Sequence, residues 1–315
     1  MMEAVILAAG KGTRLRPVTA DRSKAMVPVL GRPLVEWAVL PFVNNGIRDF
    51  VFVISPDDKE ITTHFSERTS LEITARFVVQ RERLGAAHAL GIAAPVLSDR
   101  FMVSACDSLV DEAHVRTLLE VGDGPDAVLS LLEVEPELVS RSAAVSLDGN
   151  NIRRIVEKPE VKDAPSRTVS LPHYIFSPRV LDLLPRLEAS PRGEFEIPDA
   201  IQKLIDDGRE VVGVRARERR QVSSPRDLLT LTQQMFSRGL APSPIDATSV
   251  GGGITIVEPL LVERGVVLGD GCEIGPEVFL ESGCHIGCGA VVRRSVVLRR
   301  GRVASGDTVE DRVVT

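Results

Sequence analysis

Between Ala4 and Pro33 the chain reads AVILAAGKGTRLRPVTADRSKAMVPVLGRP. An apolar run, Ala4–Ala9, meets a glycine-rich turn, Gly10-Lys11-Gly12-Thr13-Arg14, and Lys24 follows ten residues after Arg14. Glycines let backbone N–H groups converge on an anion with no Cβ in the way. Lys11, Arg14 and Lys24 add positive charge beside them. Ligands of open α/β sheets bind at the carboxyl ends of strands. These residue types in this order describe a polyphosphate cradle. It is neither a G-x-G-x-x-G fingerprint nor a P-loop, because the later glycine and the G-K-[ST] ending are missing.

Other residues could carry chemistry but have plainer readings when taken alone. Asp107 follows the apolar run Phe101–Ala105, where it could serve a ligand or simply cap a turn. Glu157-Lys158 could be an exposed ion pair of little energetic consequence. Gln80 could be any strand-end amide, and His88 falls within a helical stretch and reads as structural. Cys272, Cys284, Cys288 and His285 suggest a metal site, but no two of these cysteines share the spacing that would bring them to one face of the tail.

The elements that must position these groups alternate along the first 236 residues or so. Ala4–Ala9, Phe50–Ser55, Ile73–Val79, Phe101–Ala105 and Ala127–Leu132 are short β-type runs. Helical stretches lie between and after them: Pro33–Asn45, capped by Gly46, then Leu84–Ala94, Pro178–Leu187, Ile197–Asp207 and Pro225–Ser237. Such alternation implies a Rossmann-like α/β domain with a mixed, mainly parallel sheet and helices on both faces. Asp148-Gly149-Asn150, between Ala143–Leu147 and Ile152–Val156, reads as a hairpin turn. Residues 238–253, RGLAPSPIDATSVGGG, read as a linker.

Beyond it the period becomes six. Ile256, Val262, Leu268, Ile274, Leu280, Ile286, Val292 and Leu298 are aliphatic residues in succession at that spacing. Strands alternate at two and helices at 3.6, so neither gives this pattern. A left-handed parallel β-helix does, each hexad supplying one short strand and a corner. Eight hexads make somewhat fewer than three coils, with Val303–Val314 available as a cap. The expected division is therefore 1–237 for the α/β domain, 238–253 for the linker and 254–315 for the β-helix.

Composition bounds the function classes. The chain has 315 residues, enough for about two domains, and is 43% hydrophobic and 26% charged, which argues against extensive disorder. Its net charge of −6 argues against a general nucleic-acid or membrane-surface binder. With 4% aromatics it offers few base-stacking surfaces. No run reaches the ~18 apolar residues of a membrane helix, and the first apolar run is shorter than a signal-peptide core. Four cysteines are too few for a disulfide scaffold. The expectation is a cytoplasmic protein with reduced thiols.

The motifs together resemble the sugar-phosphate nucleotidyltransferases, the pyrophosphorylases that make nucleotide sugars. LAAGKGTRLRP followed by SKAMVPV is similar to that family's G-x-G-T-R signature with its later lysine. Gln80–Ala89 resembles Q-x-x-x-L-G-T-A-x-A, with Ala86 where Thr is usual. Ala105-Cys106-Asp107 stands where a strand-end Gly-Asp carries the metal, Val156–Pro159 matches V-E-K-P, and Gly193–Asp199 resembles G-E-x-x-x-T-D. The resemblance covers roughly residues 3–235, and a β-helix tail is common in one branch of the family.

It implies that Gly10, Gly12, Thr13 and Arg14 hold a nucleoside triphosphate and that Lys24 lies on its α-phosphate. It implies that Gln80 and Gly85 read the base, that Asp107 ligates Mg²⁺, and that Glu157 and Lys158 hold the sugar hydroxyls and the sugar phosphate. The implied substrates are UTP or dTTP and glucose-1-phosphate or N-acetylglucosamine-1-phosphate. Departures fall in the sugar half. Gln221 stands at the place of the family's second metal aspartate, Ser142-Ala143 replaces Tyr-Gly, and Leu171-Pro172-His173-Tyr174 replaces the usual N-A-G-x-Y segment. A non-catalytic nucleotide-sugar sensor on the same fold is the alternative. Arg293, Arg294, Arg299, Arg300 and Arg302 near the end of the tail suit an acidic surface of a neighbouring copy, giving a homo-oligomer assembled through the β-helix.

Overall fold

Apolar residues in the first strands occupy both faces of their pleats. Val5, Val51, Val53, Phe101 and Val103 fall on one face, and Ala4, Ile6, Phe50, Phe52 and Met102 on the other, and all are buried. Strands of this kind need cover on both sides. The computed structural model describes residues 2–97, 99–240 and 249–315. The chain divides into two compact units, one formed by Met1–Gly10 with Val35–Arg220, the other by Lys11–Leu34 with Gln221–Thr315.

The first unit holds a nine-stranded sheet: β1 (Glu3–Leu7), β2 (Asp49–Ile54), β3 (Thr74–Val79), β4 (Phe101–Ala105), β5 (Ala127–Glu133), β6 (Ala143–Asp148), β7 (Asn151–Glu157), β8 (Thr168–Phe176) and β9 (Val211–Arg215). Their order is β3-β2-β1-β4-β8-β5-β9-β7-β6, with a further pairing of β8 to β6. The first four in that order are parallel, with Leu7 level with Val53 and Ala105. β8 runs antiparallel to both β4 and β5, and β9 runs parallel to β5.

One face packs on the helices α1 (Ala86–Ala93) and α2 (Ile197–Asp206), whose Ala87, Leu90, Ile201 and Leu204 join Val5, Val53 and Leu129 in the core. On the other face Phe52 stacks against Phe65 at 4.3 Å and Phe77 at 5.6 Å. The mixed sheet covered on both faces is as the alternation of elements predicts.

The differences are local and have physical causes. The strand expected over Ala4–Ala9 ends at Leu7, although the Ala8 N–H still donates to the Val53 carbonyl at 2.8 Å. The helix expected from Leu84 begins at Ala86, because Gly85 has φ +103. The one expected over Pro178–Leu187 is helical over Arg179–Leu183 and continues as a 3-10 turn, since Pro185 has no N–H to extend the ladder.

In the second unit Pro33 is not the first residue of a helix. Arg32-Pro33 pairs with Pro28-Val29 around Leu30 (φ 48) and Gly31 (φ 77), and the helix runs over Leu34–Asn44. The α3 helix (Pro225–Ser237) opens on a capping box: the Asp227 carboxylate accepts the Ser223 and Ser224 N–H groups, each at 2.8 Å. The linker expected over 238–253 lies for the most part outside the described residues.

The tail is the left-handed parallel β-helix the hexads predict. Three parallel sheets of four strands each form its walls. Val262, Leu268, Ile274, Leu280, Ile286 and Val292 are fully buried in its interior, whereas Ile256, on the terminal coil, is 37% exposed. Two expectations are corrected. Leu280 stacks on Val297, not on Leu298, so the repeat drops one residue after Val292. Val303 and Val314 then stack on Ile286 and Val297, which makes Val303–Val314 part of the last coil and not a cap.

Four of the five arginines of that region have partners in their own chain. Arg293 pairs with Glu273, Arg294 with Glu310 and Asp311, and Arg299 and Arg300 with Asp21. Their charge therefore does not by itself call for a neighbouring subunit.

Candidate active site

In the second unit the chain from Gly12 to Lys24 folds back on itself. Gly12 has φ +60, and a Cβ there would lie 3.0 Å from Lys24 Cβ and 3.1 Å from Thr19 Cγ2. Glycine thus suits both the left-handed backbone angle and the close approach of Lys24. Thr19 Oγ1 donates to the Gly12 carbonyl at 2.8 Å and closes the loop. Thr13–Leu15 and Lys24–Met26 are short 3-10 turns. Leu15 and Ala25 anchor them inside, while Thr13 and Arg14 stay exposed and Lys24 is half-buried. Gly12, Thr13, Arg14 and Lys24 are therefore brought together as one basic loop.

In the first unit the parallel strands place Gly10, Gln80 and Asp107 beyond the carboxyl ends of β1, β3 and β4, on one edge of the sheet. Gln80 is buried, and its side-chain amide donates to the Gly85 carbonyl at 3.2 Å and lies 3.0 Å from His88 Nδ1. Arg83, which the sequence did not single out, donates from Nε to the Ala9 carbonyl at 2.9 Å and ties this turn to the end of the first strand segment.

A Cβ on Gly85 would stand 2.4 Å from the Phe195 carbonyl oxygen and 2.7 Å from its nitrogen. That close approach lets Ala87 N–H donate to Phe195 O at 2.9 Å, and Phe195 N–H to Leu84 O at 2.7 Å. The Gln80–Gly85 turn is thereby fastened to the segment that carries Arg192 and Glu196.

Asp107 is half-exposed on a turn bracketed by two buried serines, Ser104 and Ser108. Both hold one imidazole: Ser104 Oγ is 3.0 Å from His173 Nδ1 and Ser108 Oγ is 3.1 Å from His173 Nε2. Burial, with a smaller push from His114, holds the His173 pKa down to about 3, so the ring is neutral. His114 in turn lies 2.8 Å from Ser130 Oγ. Among the described residues no group of three or more His, Cys, Asp or Glu side chains is placed to hold a metal. Asp107 alone fits Mg²⁺, which binds through one or two carboxylates together with substrate phosphates and water.

Glu157 ends β7 and Lys158 follows it. Lys158 Nζ is 2.8 Å from Glu157 Oε1, and the Lys158 N–H donates to the Ser142 carbonyl at 3.1 Å from a backbone at φ 44. Arg192 reaches Glu196 at 2.7 Å and Glu157 at 3.7 Å. Burial raises the Glu157 pKa, with Lys158 and Arg192 pulling it down and Glu196 adding to the rise. Burial and the Glu196 charge raise that of Asp199 as well. This cluster, rich in acceptors with a lysine and an arginine at its side, suits a polyhydroxylated ligand bearing an anionic group. The G-E-F-E-I-P-D motif pointed to this stretch, but Arg192, just before it, had no signal of its own.

A family model described as nucleotidyl transferase matches residues 3–237. The UTP–glucose-1-phosphate uridylyltransferase AglF of Haloferax volcanii is 35% identical over 218 residues, covering 68% of this chain and 88% of that protein. The low-salt glycan biosynthesis nucleotidyltransferase Agl11 of the same organism is 35% identical over 211 residues, covering 66% of this chain, and the chain spans only 58% of its length. The fold is that of a UDP-glucose pyrophosphorylase solved with UDP-glucose, at a TM-score of 0.68, 20% identity, and coverage of 76% of this chain and 99% of that one. A match that runs through the glycine-rich loop, the strand-end aspartate and the Glu157-Lys158 pair places this chain in the nucleotidyl transferase family.

Proposed function

We propose that the chain transfers a nucleotidyl group from a nucleoside triphosphate to a sugar-1-phosphate, forming a nucleotide sugar and releasing pyrophosphate. The observation that carries this reading is the Gly12 loop, whose left-handed glycine presses against Lys24 and gathers Thr13, Arg14 and Lys24. UTP or dTTP is the favoured triphosphate, and glucose-1-phosphate or N-acetylglucosamine-1-phosphate the favoured acceptor. Residues 1–237 are read as the catalytic part.

A sugar-phosphate oxygen attacks the α-phosphorus in line, and the bond to the pyrophosphate oxygen breaks. The attacking group is already an anion, so no strong base is needed. The obstacle is repulsion between two anionic substrates, which positioning and fixed positive charge overcome. Gly10, Gly12 and Thr13 offer backbone N–H groups, Arg14 and Lys24 neutralise the triphosphate, and Lys158 holds the sugar phosphate. Glu157 accepts sugar hydroxyls, and Gln80 and Gly85 shape the base contact. Mg²⁺ on Asp107 would screen the phosphate oxygens when bound.

Gln221 favours a second reading, a nucleotide-sugar sensor, because a neutral amide stands where the family resemblance implies a second metal carboxylate. One experiment decides. Pyrophosphate release is measured with four nucleoside triphosphates against several sugar-1-phosphates, with Mg²⁺ and with EDTA, alongside calorimetric binding of the same nucleotides and their sugars. Metal-dependent release with one pairing supports the enzyme, and tight binding without release supports the sensor. Neither binding nor release across the panel would reject both.

A further inference from the structure

The basic loop is clasped by the β-helix of its own unit. Arg22, two residues before Lys24, makes a bidentate pair with Glu281: Nη1 to Oε1 at 2.6 Å and Nη2 to Oε2 at 2.9 Å. Its side chain is only 3% exposed and that of Glu281 12%. Fork-to-fork pairing of this kind fixes direction as well as distance. Beside it, Arg299 Nε donates to Asp21 Oδ2 at 3.0 Å and Arg299 Nη2 to the Asp21 backbone carbonyl at 2.6 Å. Glu281 Oε2 also accepts the Arg299 N–H at 2.7 Å, which joins both contacts into one network.

The corner of the β-helix is charged in a way that invites such a guest. Glu263 and Glu281 occupy equivalent positions in successive coils, since Val262 is level with Leu280. Each carboxylate accepts a backbone N–H one coil further on, Glu263 from Ser282 at 2.9 Å and Glu281 from Arg299. Burial raises the Glu263 pKa and the stacked Glu281 charge adds to the rise, while the Ser282 N–H and Arg22 act in the opposite sense. The ion pairs Arg293–Glu273 and Arg294–Asp311, by contrast, close within the tail. The Glu263–Glu281 corner is completed by a residue more than 250 positions upstream, in the basic loop.

We propose that Glu281 and Arg299 are positioning residues for the triphosphate loop, holding Asp21 and Arg22 so that Gly12, Arg14 and Lys24 keep the arrangement that receives the nucleotide. On this view the β-helix acts on nucleotide affinity and turnover through the loop, and not on stability alone. The proposal rests on the reading of that loop as a triphosphate site.

The test uses the full chain with Glu281→Gln, Arg22→Lys and Arg22→Ala, and Arg294→Gln as a control that weakens an ion pair closed within the tail. KM for the triphosphate, KM for the sugar-1-phosphate, kcat and Tm are measured for each. Glu281→Gln and Arg22→Ala should lower kcat/KM for the triphosphate at least tenfold and leave KM for the sugar phosphate within twofold. Arg22→Lys should recover part of that loss. Arg294→Gln should shift Tm without moving the triphosphate KM.

Hydrogen exchange of the unliganded chain gives a second measure: Glu281→Gln should speed exchange in residues 12–24 at least tenfold and leave β1 and β4 unchanged. A triphosphate KM and loop exchange unchanged in Glu281→Gln, whatever its Tm, would overturn the proposal. Failure of the wild type to bind any nucleoside triphosphate would instead remove the reading beneath it.

Discussion

The buried imidazole of His173 makes folding stability depend on pH in a way that one substitution isolates. An unfolded histidine titrates near 6.5, whereas burial takes His173 to about 3 in the folded chain. Above pH 7 neither state holds the proton and the group contributes no pH dependence. Below 6.5 the unfolded chain binds it and the folded chain does not, so acid favours unfolding until the pH approaches 3. Each pH unit in that window costs about 1.4 kcal/mol, and between pH 7.5 and pH 5 the loss is about 2 kcal/mol.

His173→Gln keeps a polar side chain beside Ser104 and Ser108 but carries no titrating group. It should start less stable by about 1–3 kcal/mol at pH 7.5, because at least one buried serine hydroxyl loses its partner. The difference between wild type and variant should then shrink by about 2 kcal/mol at pH 5. His114, whose pKa burial also lowers, is present in both proteins and cancels to first order. Reversible urea unfolding at intervals of half a pH unit gives the two curves. Parallel curves for wild type and variant between pH 7.5 and pH 5 would refute the reasoning, since they would mean that the folded chain takes up the proton as readily as the unfolded one.

Gly85→Ala places a Cβ 2.4 Å from the Phe195 carbonyl at a backbone angle of +103°. It should cost about 1–3 kcal/mol from the backbone angle alone, lower Tm, and raise the triphosphate KM. A neutral outcome in thermal melts and kinetics would show that the turn can move away from Phe195. Lys24→Ala should mainly lower kcat if its charge acts on the α-phosphate during transfer, whereas Lys158→Ala should mainly raise KM for the sugar phosphate. Steady-state kinetics with each substrate varied in turn separates the two, and identical defects would count against both roles.

The sheet was legible because each of its first strands is an apolar run that ends where a turn residue begins. Phe101–Ala105 and Pro225–Ser237 have the predicted bounds, the second because Ser224, Pro225 and Asp227 write the start of a helix within four letters. Pro33 misled because proline at a helix start and proline in a two-residue strand look alike locally, and only the left-handed pair Leu30-Gly31 tells them apart.

The candidate site was legible as a motif where its residues are close in sequence, as in Gly10–Arg14 and Glu157-Lys158. His173 lies 69 residues from Ser104, and Arg22 lies 259 from Glu281. Contacts of that span leave no periodicity and no motif, so they could be found only in three dimensions.

The slip in the tail shows how a correct period can still give the wrong neighbours. A strict spacing of six carries the reading from Val292 to Leu298, and Leu298 is aliphatic and buried, so nothing in the letters objects. Val296-Val297-Leu298 supplies an aliphatic residue in either frame, which hides the missing residue. The strict frame would stack Arg299 directly on Glu281, eighteen positions earlier. The observed register, with Leu280 level with Val297, stacks Leu298 there instead and moves Arg299 one step around the corner, to the place Ser282 holds a coil before. From that place its N–H reaches the Glu281 carboxylate while its guanidinium reaches Asp21. One omitted residue therefore does more than shorten a coil: it aims the arginine that, together with Arg22, ties the tail to the basic loop.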